Sequence, residues 1–125
     1  METTVDELRT LAAQGATIIN VGQHAGHAEI RGAIRYRPHD LLAASHLTLP
    51  IAPEKPVVLY DEKGNGDLTE QIAAKLSEQG FRDVRTLRGG YAAWHEAGGE
   101  TQEPSMEQVV PPARASEVQE LDRRI

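Results

Sequence analysis

The residues that could carry chemistry form a short polar loop that directly follows an apolar run. Residues 57–60 are continuously apolar, which is typical of a strand in a covered parallel sheet, and a helix is predicted to begin at Asp67. The unpaired amides and positive dipole of a helix N-terminus can hold an anion, and open parallel sheets bind ligands at the carboxyl ends of their strands. The loop is therefore a candidate site, although its spacing alone also fits an ordinary turn. The loop consists of Asp61, Glu62, Lys63, Gly64, Asn65 and Gly66.

The side chains of this loop disfavour an anionic substrate. Asp61, Glu62 and the nearby Asp67 oppose a single base, Lys63, so the loop is expected to repel anions. The Gly-Asn-Gly run at 64–66 suits a turn that needs positive φ. The sequence therefore predicts that the turn is present but that its excess of acidic side chains opposes an anionic substrate.

Two other chemistries could use the carboxylates of the loop. A calcium-binding loop needs oxygen ligands where this chain has Lys63 and Ile72. A nucleophilic Asp61 could form an aspartyl phosphate, but this chemistry normally needs a metal and a basic group, and Lys63 is the only basic residue nearby. A divalent-ion-binding loop and a divergent enzyme that uses Asp61 remain alternatives.

Two histidines lie in a segment expected near the same end of the sheet. His24 and His27 could hold a metal together with Asp61. A simpler interpretation of His24 is that it is exposed. We therefore expect no metal and no cofactor, and we include both histidines in the candidate site as neighbours.

The composition restricts the classes of function. The chain has 125 residues, no cysteine and a formal net charge of −6. The lack of cysteine excludes disulfides, thiolate nucleophiles and iron–sulfur clusters, while the negative charge disfavours nucleic acid and anionic membranes as partners. No apolar run approaches the roughly 20 residues that span a bilayer. The expected compartment is the cytoplasm.

Strands and helices alternate along the chain, which predicts an α/β fold with a mainly parallel sheet and helices on both faces. Capping boxes are predicted for the first and third helices, with Thr4 paired to Glu7 and Asp67 paired to Glu70. Residues 22–31 are polar and are predicted to be mostly loop. The predicted strands cover residues 17–21, 33–36, 57–60 and 84–87, and the predicted helices begin at Thr4, Pro38, Asp67 and Tyr91.

The composition changes after Gly99. Residues 1–99 are predicted to form the domain, and residues 100–125 a C-terminal extension with a proline-rich linker and one short helix. The apolar stripe of that helix could dock on the domain, form a weak homodimer, or fray. The stripe consists of Val118, Leu121 and Ile125.

Several motifs are similar to those of one known protein family and occur in the same order along the chain. Residues 87–94 read Leu-Arg-Gly-Gly-Tyr-Ala-Ala-Trp and match the family's Leu-x-Gly-Gly-aromatic-x-x-Trp signature. Residues 26–34 are similar to its Gly-His-Ile-x-Gly-Ala segment, and residues 20–22 read Asn-Val-Gly where the family usually has Asp-Val-Arg. The strand, six-residue loop and helix of residues 57–81 also fit. The chain thus resembles the rhodanese-like family over about residues 4–99. The resemblance implies a five-stranded sheet, and it implies that His27 orients the loop.

The resemblance also implies what has been lost. Active members use a cysteine as the first loop residue, which carries sulfur as a persulfide held by the loop amides. Asp61 stands at this position, and a carboxylate cannot form a persulfide. We therefore expect an inactive homologue that acts as a binding, scaffold or regulatory module with a protein partner. We also expect the carboxylate of Asp61 to accept the hydrogen bonds that the persulfide would receive.

Overall fold

The computed structural model describes residues 2–22, 28–44, 49, 51–64, 66–104 and 107–108. Within these residues the chain alternates short strands with helices, as the sequence predicts. The four helices are α1 (Val5–Ala13), α2 (Pro38–Ala43), α3 (Asp67–Glu78) and α4 (Gly90–Glu96). The strands are β1 (Glu2–Thr3), β2 (Thr17–Asn20), β3 (Glu29–Ile30), β4 (Ile34–Tyr36), β5 (Val57–Tyr60), β6 (Val84–Leu87), β7 (Thr101–Gln102) and β8 (Glu107–Gln108).

The central sheet is parallel and has the order β1-β6-β5-β2-β4-β8. Its middle strand β5 pairs with β2 and β6, and all four of its residues are buried. The first five strands in this order confirm the predicted five-stranded parallel sheet. The sixth, β8, comes from the C-terminal extension and pairs with β4 at the edge.

Helices cover both faces of the sheet, because alternate strand residues point to opposite sides. Leu59 packs in one hydrophobic cluster with residues of α2 and α3, whereas Val58 packs in a second cluster with residues of α1 and α4. Trp94 of α4 lies in the second cluster and is buried. No helix in the described part of the chain is long and apolar enough to cross a membrane.

The two predicted capping boxes have different outcomes. The first is confirmed, since the Thr4 side chain accepts from the Glu7 amide and the Glu7 side chain accepts from the Thr4 amide. The second is wrong: Gly66 is the N-cap of α3, and no side chain caps it. Glu70 instead accepts a hydrogen bond of 3.3 Å from the Thr86 hydroxyl.

The C-terminal extension contributes to the folded structure beyond residue 99. Its strand β7 pairs with β3 in a separate antiparallel ribbon, and β8 extends the central sheet. Strand β3 lies in a segment predicted to be mostly loop, so that prediction missed a short strand. The predicted C-terminal helix with Val118, Leu121 and Ile125 lies outside the described residues.

Candidate functional site

The candidate loop begins at the carboxyl end of the central strand. Tyr60 ends β5, and its carbonyl accepts a hydrogen bond of 2.9 Å from the amide of Val21, which follows the neighbouring strand β2. Asp61 is the next residue and is half-buried. The fold therefore places Asp61 at the edge where parallel sheets bind ligands, as predicted.

The carboxylate of Asp61 fills the centre of its own loop. Its Oδ1 accepts from the amide of Gly64, and its Oδ2 accepts from the amide of Gly66 at 3.0 Å and from the hydroxyl of Thr69 at 2.8 Å. Thr69 lies in the first turn of α3 and is buried. Both carboxylate oxygens thus have donors, which confirms the expectation that Asp61 accepts hydrogen bonds from the loop amides. The sequence analysis missed Thr69 as a partner.

The start of α4 holds the loop from the other side. The amides of Tyr91 and Ala92 donate to the carbonyls of Asp61 and Glu62 at 2.9 and 3.0 Å, so the loop backbone satisfies amides that a helix N-terminus leaves unpaired. Gly90 has φ +59° and lies against this backbone with no room for a Cβ atom. The Gly-Gly-aromatic motif therefore has a physical reason: it lets α4 approach the loop closely.

A small cavity of about 20 Å³ lies beside Asp61, which is close to the space that one water molecule needs. The hydroxyl of Tyr60 accepts a hydrogen bond of 3.0 Å from the Ile30 amide. Burial raises the pKa of Tyr60 well above its usual range, so the folded protein retains this proton at alkaline pH where a free tyrosine would lose it. The described residues that line the cavity are Asn20, Gly22, Ala28, Tyr60, Asp61, Glu62 and Tyr91.

A polar network that the sequence analysis missed forms the wall of this site. Glu29 is fully buried, and its Oε2 accepts a hydrogen bond of 3.2 Å from the side-chain amide of Asn20. Its Oε1 accepts a bond of 2.8 Å from the side-chain amide of Gln102 in the C-terminal extension. A lone glutamate in a polar segment carries no local signal of burial, and its partner Gln102 lies 73 residues away.

The other predicted site residues that the structure describes differ in their exposure. Glu62 is half-buried, and Lys63 and Asp67 are exposed. His24, His27 and Asn65 lie outside the described residues. Among the residues that the structure describes, no three acids or histidines are grouped so that they could hold a metal ion.

Comparison with known proteins identifies the family. The rhodanese-like domain family matches residues 4–97. The thiosulfate sulfurtransferase GlpE of Shewanella oneidensis is 33% identical over 88 residues, which cover 68% of this chain and 81% of that protein. This chain therefore belongs to the rhodanese-like domain family, but it has no cysteine.

Solved structures agree with this assignment. The Alr3790 protein from Anabaena sp. superposes with a TM-score of 0.63 at 22% identity over 98% of this chain and 90% of that one, a likeness of fold. A thiosulfate sulfurtransferase from Pseudomonas aeruginosa has a TM-score of 0.65 at 26% identity. That match covers 81% of this chain and 19% of the larger protein.

Proposed function

We propose that this protein is a non-enzymatic rhodanese-like module that binds a protein partner through the loop of residues 61–66. The observation that carries the proposal is the carboxylate of Asp61, which occupies the loop amides with its own two oxygens. Active relatives need a sulfur atom at the first loop residue. This chain has Asp61 there and contains no cysteine at any position. The loop amides that would donate hydrogen bonds to a persulfide donate them to the Asp61 carboxylate instead.

The hydrogen bonds of Asp61 also bear on the two alternative functions. A carboxylate nucleophile or a metal ligand must direct a lone pair at the phosphorus atom or the ion. The Gly64 amide engages Oδ1, while the Gly66 amide and the Thr69 hydroxyl engage Oδ2. This arrangement favours a fixed structural anion, and it gives the divergent-enzyme and ion-binding alternatives no specific support.

The surface that we assign to the partner is the outer side of the same loop. Lys63 and Gly64 are exposed there, and Asp67 at the start of α3 is exposed beside them. The described residues of the loop are held from within by the Asp61 carboxylate and from behind by α4. Residues that are already held in place suit recognition because little ordering entropy is lost on binding.

The first experiment tests the absence of sulfur chemistry. Transfer of sulfur from thiosulfate to cyanide is measured for the wild type and for Asp61→Cys under the same conditions. We expect no turnover from the wild type and little from the variant, since Glu62 and Asp67 keep the loop acidic. Turnover by the wild type would contradict the proposal. Strong activity of the variant alone would show that the loop charges do not block the donor.

The second experiment tests the binding surface with a matched pair of lysines. Lys63 follows β5 and Lys55 precedes it, and both are exposed, so they mark opposite ends of the same strand. We expect Lys63→Glu to abolish capture of a partner that wild type and Lys55→Glu both retain from the cell extract of the source organism. A partner lost equally from both variants, or from neither, would remove the loop from the interface.

A further inference from the structure

We infer that Gln102, in the C-terminal extension, is a positioning residue that fixes the wall of the candidate site through the buried carboxylate of Glu29. The role assigned to Gln102 concerns the shape of the site and does not depend on the proposed partner. A series of hydrogen bonds leads from the extension to Gly22, and Gly22 packs against the loop.

The side chain of Gln102 fits tightly into the domain. Its Nε2 donates to Glu29 Oε1 at 2.8 Å and to the carbonyl of Ala33 at 3.3 Å, while its Oε1 accepts from the amide of Gly32 at 2.9 Å. The terminal amide of Gln102 thus donates hydrogen bonds and accepts one at the same time. An amide side chain can donate to a carboxylate through its nitrogen and accept from a backbone amide through its oxygen.

The segment before Gln102 is anchored as well. The carbonyl of Glu100 accepts hydrogen bonds from the amide of Arg31 at 3.1 Å and from the indole of Trp94 at 2.7 Å. Strand β7 then pairs with β3, where Thr101 lies opposite Ile30. Backbone pairing therefore places Gln102 opposite Glu29, and this placement does not depend on the Gln102 side chain.

Glu29 connects Gln102 to the wall of the site, because it accepts hydrogen bonds from both Gln102 and Asn20. Its carboxylate is fully buried, and a buried carboxylate is tolerated only when donors surround it. Gln102 supplies a donor to Oε1, and the side-chain amide of Asn20 supplies one to Oε2 at 3.2 Å. Because the two donors lie on opposite oxygens, the orientation of the Asn20 amide is coupled to the presence of Gln102.

Asn20 completes the connection to the candidate loop. Its Oδ1 accepts a hydrogen bond of 2.9 Å from the amide of Gly22. Gly22 in turn lies against the loop, since a Cβ atom added there would be 3.9 Å from Asp61 Cα and 3.8 Å from the Glu62 nitrogen. A residue beyond the family match at 4–97 therefore helps to set the wall beside Asp61.

The test compares Gln102→Ala with Glu103→Ala, which changes the exposed neighbour in the same extension. Two quantities are followed in the full chain by NMR: the hydrogen exchange of the Gly22 amide and the resonance positions of the Asn20 side-chain amide. We expect Gln102→Ala to speed Gly22 exchange about tenfold and to shift the Asn20 signals, because Glu29 loses a donor. Glu103→Ala should leave both at the wild-type values.

A purely structural role of Gln102 gives a different result. If Gln102→Ala lowers the melting temperature while the Gly22 and Asn20 signals stay at their wild-type values, the inference is wrong. Equal changes in Glu103→Ala would also overturn it. If Gln102→Ala does not fold, Gln102→Met is measured in its place, because it keeps the length and bulk of the side chain while removing the hydrogen bonds. Partner binding is not measured in this test, so the result does not depend on whether the proposed function is correct.

Discussion

The hydroxyl of Thr69 donates a hydrogen bond of 2.8 Å to the Asp61 carboxylate. This bond joins the first turn of α3 to the residue that directly follows the central strand β5. The amides of Gly64 and Gly66 add two more donors to the same carboxylate. An isolated carboxylate in a strand-to-helix turn would be solvated by water. Here the protein supplies these donors, so the side chain of Asp61 is part of the architecture of the loop.

Removing the Asp61 carboxylate should therefore destabilise the fold. Asp61→Ala leaves two amides and one hydroxyl without their acceptor and is expected to lower the free energy of unfolding by about 2 kcal/mol. Asp61→Asn keeps one acceptor oxygen in the same place and should lose only about 1 kcal/mol. Urea unfolding measures both. If Asp61→Ala is no less stable than Asp61→Asn, the carboxylate does not hold the loop.

Substitutions of Thr69 isolate a single hydrogen bond of this arrangement. Thr69→Val keeps the shape and β-branching of the side chain but removes the hydroxyl, and it should lower the free energy of unfolding by about 1 kcal/mol. Thr69→Ser keeps the hydroxyl and should preserve the loop. Chemical shifts of the Gly66 amide report on the loop directly. A Gly66 amide signal that moves in Thr69→Ser but not in Thr69→Val would contradict the hydrogen bond between Thr69 and Asp61.

The contact between Gly90 and the loop predicts a large effect of one methyl group. Gly90→Ala introduces a Cβ atom into the backbone of the loop at a residue with φ +59° and should lower the free energy of unfolding by about 3 kcal/mol. Gly98→Ala is the matched control, because Gly98 has φ +75° but nothing within 4 Å of an added Cβ. It should lose only about 1 kcal/mol through backbone strain. Equal losses in denaturant unfolding would refute the close approach.

Burial of Tyr60 predicts that the protein loses stability at alkaline pH. Burial raises the pKa of Tyr60, so the unfolded chain releases this proton near its usual pKa of about 10 while the folded chain retains it. Stability is therefore unaffected by this group below about pH 10 and falls above it by up to about 1.4 kcal/mol per pH unit. Burial also raises the pKa of Tyr36, which adds to the same decline.

Tyr60→Phe separates the contribution of Tyr60 from that of Tyr36. At neutral pH the variant should be about 1 kcal/mol less stable, because the amide of Ile30 loses its acceptor. Above about pH 10 its stability should fall less steeply than that of the wild type. Urea unfolding between about pH 8 and about pH 11 gives both slopes. Parallel slopes would show that Tyr60 ionises as easily in the folded chain as in the unfolded one.

The parts of this structure that the sequence predicts are those with local signals. The apolar run of β5 predicts a central strand, and the Thr4–Glu7 capping box predicts the start of α1. The position of Asp61 follows from motif order, which also predicts that its carboxylate meets the loop amides. Each of these features depends on residues that are close together along the chain.

The features that the sequence analysis missed depend on distant partners. Glu29 is buried because Gln102, 73 residues away, lies beside it, and strand β3 forms because β7 in the extension pairs with it. The predicted Asp67 cap is a local error: Gly66 is the N-cap of α3, and its amide donates to Asp61. No pattern within residues 22–31 reveals the burial of Glu29 or the pairing of strand β3.

The most direct measurement is a thiosulfate titration of the wild-type protein, followed through the NMR signals of the Gly64 and Gly66 amides. Because the side chain of residue 61 already accepts from both amides, the signals should stay in place at all thiosulfate concentrations. A saturable shift of both signals would mean that an external sulfur-containing anion takes their hydrogen bonds, which would contradict a loop filled by its own carboxylate.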